Sequence, residues 1–455
     1  NLKFIMKKIL LSILSIAIIG CKNPKTDDVA QPDSTIKSIT DNDLETAVIY
    51  EANIRQYSEE GSFNAFTDDI PKLKALGVKV IWLMPVFPIS EARRKGPLGS
   101  YYAVSDYTKV NPEFGSIEDF RTLVKTIHDN DMFVILDWVP NHTGWDHHWI
   151  SNHPDFYTHN AAGEIIHPEG TDWTDVADLN YDNIDMQVAM IADMMYWIEK
   201  EHIDGFRCDV ASEVPTTFWE KAIPRLRAKH SVFMLAEAEK VELNKDPLFD
   251  MSYAWSGHHL LNQLAKGEAN AEDLKTYVSK INDTFETNDM LMNFVTNHDE
   301  NSWNGTIEER MGSAAPAITV LSYTLPGMPL IYSGQEYGMN HRLKFFEKDQ
   351  IPKTKGEAWQ LLEQLAVLKQ NPALHGGKEA ADLTFLDTDD KEVIAFTRTK
   401  AENEIVVFIN LSENQKEIKS DLTGNFKDFF LKYELTLNET PLTIPSNGFK
   451  VYSRL

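Results

Sequence analysis

The sequence predicts an α/β fold: a closed (β/α)8 TIM barrel, with a loop-rich insertion after its third strand and an all-β sandwich domain at its C-terminal end. Three observations carry this. Short apolar runs alternate with amphipathic helical segments from residue 47 to residue 369, which is the signature of βαβ units on a parallel sheet. After Gly377 the hydrophobic period shortens to two residues. Four of the apolar runs end in a carboxylate, at the end where a parallel barrel keeps its chemistry. A doubly wound open sheet is the structural competitor.

The chain opens on a different pattern. Met6-Lys7-Lys8 starts a positive stretch, and the apolar run from Ile9 to Ile19 is shorter than the ~20 residues a membrane-spanning helix needs. Residues 1–5 are read as lying upstream of a natural start at Met6. With Ile18-Ile19-Gly20-Cys21 at its end, the segment resembles a bacterial lipoprotein signal, in which cleavage before the cysteine leaves the thiol to be lipidated. Ile18 stands where leucine is usual. The expectation is an exported protein, membrane-anchored through Cys21 on the periplasmic or surface side of the cell envelope. Residues 22–44 are too polar to bury a core and read as a flexible linker.

Within the expected barrel, residues 45–376, strands are predicted at 47–50, 78–83, 133–136, 204–209, 232–236, 291–296 and 329–332. Helices are predicted at 70–76, 117–127, 185–200, 217–229, 307–325 and 357–369. Gly77 is suited to end the first of these helices. The insertion covers 142–184. Residues 377–455 form the sandwich domain, with strand-like runs at 392–398, 404–409, 428–433 and 448–453.

Composition narrows the function. Hydrophobic residues make up 42% of the 455-residue chain and aromatics 11%, enough for a large core and an aromatic-lined site. The net charge of -25 lacks the basic footprint that nucleic acid demands, so no nucleic-acid partner is expected and a neutral ligand suits the chain better than a polyanion. Two cysteines, Cys21 and Cys208, exclude a disulfide framework and a Cys-rich metal site. Cys208, flanked by apolar residues, reads as a small buried side chain.

The acidic strand ends are Asp137, in Asp137-Trp-Val-Pro-Asn-His142; Asp209, in Gly205-Phe-Arg-Cys-Asp209; Glu237, after Leu235-Ala236; and Asp299, in Thr296-Asn-His-Asp299. Asp209 and Glu237 are one strand–helix–strand unit apart, which puts them on neighbouring strands ~4.8 Å apart. That suits the ~5–5.5 Å separation of a retaining glycosidase pair better than the ~6.5–9.5 Å of an inverting one. Asp299 lies two units beyond Glu237, so one further strand is expected between them.

These four segments, in this order, resemble the signature regions of the alpha-amylase family (glycoside hydrolase family 13). Gly77-Val-Lys-Val-Ile-Trp-Leu-Met-Pro85, Ala177-Asp-Leu-Asn180 and Gly327-Met-Pro-Leu-Ile-Tyr-Ser-Gly-Gln-Glu336 agree with it. The resemblance covers about residues 47–455 and implies roles. Asp209 is the nucleophile, Glu237 the acid and then the base, and Asp299 the carboxylate that holds the sugar hydroxyls and favours the distorted ring. Tyr102, Asp137, His142, Arg207 and His298 bind substrate, with Tyr102 stacking on the sugar and Tyr101 its rival for that place. Arg207, on the same strand face as Asp209, holds it ionised.

The resemblance further implies calcium at Asn141 and Asp178. Here Glu213 replaces the histidine that follows the nucleophile in calcium-dependent relatives, and Ser212 a neighbouring lysine, so calcium stays open. No organic cofactor is expected. Asp106 reads as structural, and His147-His148 as a loop pair rather than a zinc site. Trp145, Trp149 and Trp173 read as either sugar-lining or packing residues, and Glu239 as facing the acceptor side. The implied activity is retaining hydrolysis of alpha-1,4-glucosidic bonds in starch or malto-oligosaccharides. Within the family the alternatives are an alpha-1,6-glucosidase, a cyclomaltodextrinase or neopullulanase, and a transglycosylase; a silent glycan-binding protein is the remote one. Oligomeric state is not legible.

Overall fold

The computed structural model describes residues 37–438 and 441–455. The export signal, Cys21 and residues 22–36 of the expected linker 22–44 lie outside the described residues; its last part, 37–44, enters the helix Asp41–Glu45, with Ile39 and Leu44 buried against the barrel core. Ten strands occupy the first part of the chain: β1 Val48–Ala52, β2 Val78–Leu83, β3 Phe133–Trp138, β4 His142–Gly144, β5 Val176–Asp178, β6 Gly205–Cys208, β7 Phe233–Ala236, β8 Met251–Tyr253, β9 Met290–Asn293 and β10 Met328–Tyr332. Eight of them, all but the β4–β5 hairpin, close into a parallel barrel in chain order, with β10 returning to β1. The hairpin pairs His142 with Asp178 and ties the two ends of the insertion together.

Alternation along the strands builds two cores. Ile49, Val80, Trp82, Ile135, Leu235 and Met292 point inward and fill the barrel. Val48, Tyr50, Ile81, Leu83, Val134 and Leu136 point outward and meet the helices. A strand covered on both faces must be apolar throughout, and for that reason the barrel strands read as continuous apolar runs. The helix over Ile117–Asp129 starts at Ser116, whose hydroxyl and Asp119 form a reciprocal cap. Asn183 caps the helix Ile184–Glu199.

The strand expected between Glu237 and Asp299 is present, whereas the run expected at 428–433 has only Asp428 in a strand and the helix expected over 307–325 is interrupted. The strand between Glu237 and Asp299 is β8, only three residues long, too short to show a period. The helix expected over 307–325 is broken at Gly312, whose φ of +50° separates Ile307–Met311 from Ala315–Thr324. Gly205, at the start of β6, has φ +148°, and a Cβ there would lie 1.9 Å from the carbonyl oxygen of Phe233. Only glycine allows β6 and β7 to approach at this point.

The C-terminal part is all β: β11 Asp382–Phe385, β12 Val393–Lys400, β13 Asn403–Asn410, β14 Lys416–Ile418, β15 Gly424–Asp428, β16 Glu434–Leu437, β17 Leu442–Ile444 and β18 Phe449–Arg454. Six of these form an antiparallel sheet in the order β11-β12-β13-β18-β15-β16, and β14 pairs with β17 as a ribbon. The two-residue period divides the sheet. Val393, Ala395, Val406, Phe408 and Tyr452 pack with Ile418 and Ile444 of the ribbon, whereas Ile394, Phe396, Ile405, Val407 and Val451 join the core of the barrel helices. Buried Arg398 pins the contact by donating to the carbonyls of Thr324, His375 and Ala381.

Candidate active site

The strands deliver polar side chains to one end of the barrel. Asp137 lies on β3, Arg207 on β6, Asp209 just past β6, Glu237 just past β7, and His298 and Asp299 in the loop after β9. The parallel ladder runs on into two of these residues. The Asp209 N–H donates to Trp138 O at 2.8 Å and the Glu237 N–H to Cys208 O at 3.0 Å. Asp209 and Glu237 therefore follow the register pair Cys208–Ala236 side by side. Val210, a β-branched residue at φ +37°, is held in a strained left-handed conformation. Its N–H there donates to Glu237 Oε2 at 2.8 Å.

Arg207, wholly buried, is the hub. Its Nη1 donates to Asp137 Oδ1 at 2.8 Å and to Asp209 Oδ1 at 2.9 Å, and its Nε to Tyr253 Oη at 3.1 Å. Nη2 lies 2.9 Å from Glu237 Oε2, an ion contact without hydrogen-bond alignment. One guanidinium thus faces three carboxyl groups. Burial lifts all three out of the usual carboxylate range, with Arg207 opposing it: Asp137 and Asp209 are pushed up to about 6 and Glu237 to about 7. The in-line bonds from Nη1 stabilise charge on Asp137 and Asp209, which leaves Glu237 as the carboxyl that keeps its proton longest.

The facing wall is a second network. Tyr102 Oη donates to Asp137 Oδ2 at 3.0 Å and lies 2.8 Å from His298 Nε2. One phenolic proton cannot serve both, so His298 Nε2 carries a proton toward Tyr102. Nδ1 of the same ring meets Glu51 Oε1 at 2.5 Å. Burial works against the charged imidazole, but Asp299 and Glu51 outweigh it and push His298 up to about 9. His142 is the opposite case: burial pushes it down to about 4, so it is neutral and faces Trp173 at 5.6 Å between rings.

Tyr102, His142, Asp209, Glu237, His298 and Asp299 share one cleft of about 610 Å³, within the ~300–1,000 Å³ range of ligand sites. Asp299 is the most open of the three acids, with its side chain 39% exposed. An aromatic platform, a neutral imidazole, a charged imidazole and paired carboxyls around one cavity suit a polyhydroxylated ring.

Asn141 and Asp178 are brought together by the β4–β5 hairpin, where Asn141 O accepts from Leu179 N at 3.1 Å. The Asn141 amide also lies 3.3 Å from His142 Nδ1. Glu213 is exposed, and among the described residues no three His, Cys, Asp or Glu side chains converge as a metal site. Asn141 and Asp178 offer three side-chain oxygens at most, so the rest of the ~6–8 that calcium takes would have to come from backbone carbonyls and water. These residues do not complete a calcium shell, and no step below passes through a metal.

Several side chains sit elsewhere than in the cleft. Tyr101, the rival to Tyr102, is 1% exposed, donates to Asn53 Oδ1 at 3.1 Å and lies under Arg55. Glu239 accepts from Ser256 N at 2.6 Å and from its hydroxyl, at the start of the helix Trp255–Ala265. Trp149 is buried in packing and Trp145 carries the Arg93 guanidinium at 3.5 Å; Trp173, unlike them, lines the cleft. Asp106 caps Thr108 and pairs with Lys109. His147 is buried and stacks on His148 at 4.6 Å.

Sequence reasoning missed Glu51, Trp82 and Tyr253, which orient the network, and Trp303, Phe345 and Phe346, which line the cleft. Glu51 alone left a signal: an acid that directly follows the apolar run 47–50.

Comparison with known proteins agrees with this geometry. The alpha-amylase catalytic-domain pattern matches residues 32–164 and 170–366. Alpha-amylase MalA of Haloarcula japonica is 27% identical over 384 residues, 80% of this chain and 55% of that protein, so the chain spans little more than half of that relative's length. A cyclomaltodextrinase of Thermoanaerobacter pseudethanolicus is 26% identical over 418 residues, 85% of this chain and 70% of that one. The crystal structure of an alpha-amylase from Lactobacillus plantarum superposes with a TM-score of 0.82 at 30% identity, covering 91% of this chain and 100% of the other. With pattern, barrel and strand-end carboxyls in agreement, the chain belongs to the alpha-amylase family.

Proposed function

We propose that the protein is a retaining glycoside hydrolase acting on alpha-1,4-glucosidic bonds of starch or malto-oligosaccharides. One observation carries the reading: Asp209 and Glu237 stand side by side on neighbouring strands against one buried guanidinium. The ~4.8 Å strand spacing suits a nucleophile and an acid flanking one glycosidic bond at ~5–5.5 Å.

The sugar stacks on Tyr102, with His142 and His298 at its hydroxyls. The Asp209 carboxylate attacks the anomeric carbon while the glycosidic C–O bond breaks, and Glu237 gives its proton to the leaving oxygen. The positive charge that develops on the ring is met by Asp209 and by Asp299. Water then attacks the anomeric carbon of the glycosyl ester, Glu237 takes the water proton, and Asp209 leaves as carboxylate. Arg207 holds Asp209 ionised, and burial holds Glu237 protonated.

The substrate class is supported by relatives named alpha-amylase and cyclomaltodextrinase. Purified protein incubated with starch, pullulan, cyclodextrin and sucrose is expected to generate reducing ends fastest from starch. Silence on all of them would reduce the protein to a glycan binder. Dominant attack on pullulan or cyclodextrin would favour the alpha-1,6, neopullulanase or cyclomaltodextrinase alternatives, and chain lengthening a transglycosylase.

We further propose export and membrane tethering through lipidated Cys21, supported by the basic start, short apolar run and terminal cysteine of residues 6–21. Cys21→Ser is expected to move the protein to the soluble fraction; retention in the membrane would contradict the tether.

A further inference from the structure

We propose that the cleft is walled off on its glycone side, so that the enzyme grips alpha-glucan chains by their non-reducing ends and releases a short product of uniform length. This rests on the hydrolase reading above and adds the mode of attack to it.

The wall is the segment 90–99 between β2 and β3, fastened at both edges. Toward the insertion, Asp146 Oδ2 accepts from Glu91 N at 2.7 Å. Lys95 Nζ donates to Asp172 O at 2.8 Å and lies 3.3 Å from Asp175 Oδ1. Toward the loop after β10, Leu98 N donates to Phe346 O at 3.0 Å. A Cβ on Gly96 would lie 2.5 Å from the Phe346 Cβ, so the two loops touch with no gap. Buried Arg55 bonds Gly99 O and Phe345 O together from beneath. Phe345 then meets Trp303 of the loop after β9 at 5.2 Å, the rings tilted by 40°. The rim is continuous from the β3 insertion, across β2 and β1, to β9.

The order of strands fixes what this rim faces. In the closed order β1-β2-β3-β6-β7-β8-β9-β10, β7 stands diametrically across from β1. Glu237, which delivers the proton to the leaving group, follows β7 and lies opposite the wall. The leaving chain exits over β6 and β7. The retained sugar lies between Tyr102 and the wall, where Phe345 runs nearly parallel to Tyr102 at 6.4 Å and 14°. A bond in the middle of a polymer needs an exit on both sides of the cut, and the glycone side has none.

The test compares maltoheptaose with maltoheptaose capped by a cyclic acetal across O4 and O6 of its non-reducing sugar, with products read by chromatography. The uncapped chain is expected to be cut at least about tenfold faster, the scale on which a pocket wall discriminates. Equal rates would overturn the closed side while leaving the hydrolase reading intact. No cleavage of either would overturn that reading and this inference with it. F346A is expected to raise the capped-to-uncapped ratio, and K95A serves if F346A does not fold. An unchanged ratio in a folded variant would overturn the assignment of segment 90–99 as the barrier.

Discussion

Glu51 and His298 meet at the mouth of the barrel, Oε1 to Nδ1 at 2.5 Å, with Glu51 wholly buried and its Oε2 without a hydrogen-bond partner. The pair links β1 to the loop after β9 and continues through Tyr102 and Asp137 to Arg207. Glu51 therefore positions His298 without touching substrate.

Glu51→Gln keeps the shape and removes the charge that helps hold His298 at about 9. The variant's His298 pKa is expected to fall, so that at neutral pH the ring no longer donates from both nitrogens. Losing one charge-assisted bond of about 2 kcal/mol corresponds to a roughly thirty-fold drop in kcat, partly recovered at lower pH. Imidazole nitrogen shifts measured by NMR would report the change in protonation directly. The stability effect has a defined sign. A histidine raised from 6.5 to about 9 on folding contributes stability in full below pH 6.5 and loses it as pH rises through about 9. Subtracting the Glu51→Gln melting curve from the parent's should isolate that alkaline decline.

Asp209→Asn and Glu237→Gln are expected to fail at different steps. Either lowers starch turnover by about a thousandfold, which for Glu237 is within the ~10²–10⁴ that an acid–base group contributes. A fluorinated glycosyl donor needs no proton on its leaving group. With it, Glu237→Gln still forms the glycosyl ester and accumulates it, whereas Asp209→Asn forms none. Mass spectrometry of the trapped peptide should locate the adduct at Asp209.

The pH–rate profile is expected to be a narrow bell. Below about 6 Asp209 gains a proton and loses nucleophilicity, and above about 7 Glu237 loses the proton it must donate. Arg207→Lys keeps a positive charge but not the fork that serves both carboxyls. It should move the acidic limb to higher pH and lower the maximum.

Gly205→Ala tests the strand contact beneath the acids. A methyl group 1.9 Å from Phe233 O at φ +148° must push β6 from β7, at an overpacking cost of about 3 kcal/mol. A depressed melting temperature with a disproportionate loss of kcat is the expected result.

The legible parts of the sequence were those where one element carries its own signal. Continuous apolar runs marked the strands covered on both faces, and acids at their ends marked Asp137, Asp209 and Glu237. What stayed hidden depends on contacts between distant segments. Tyr253 sits on a strand of three residues, and only the structure brings its hydroxyl to Arg207. Tyr101 and Tyr102 are adjacent and chemically equal; Arg55 below one and His298 beside the other separate them. Glu239 offered no hint that its partner is Ser256.

The division of the C-terminal sheet into two faces has a further consequence. Ile394, Phe396, Ile405 and Val407 are as much a part of the core around the barrel helices as of their own sheet, so the enzyme lacks a seam along which it could be cut. A protein shortened to the barrel alone would expose that greasy face to water, and heating the whole chain should melt both layers in one cooperative transition. The sheet acts as the missing side of the catalytic unit, although none of its described residues lines the cleft.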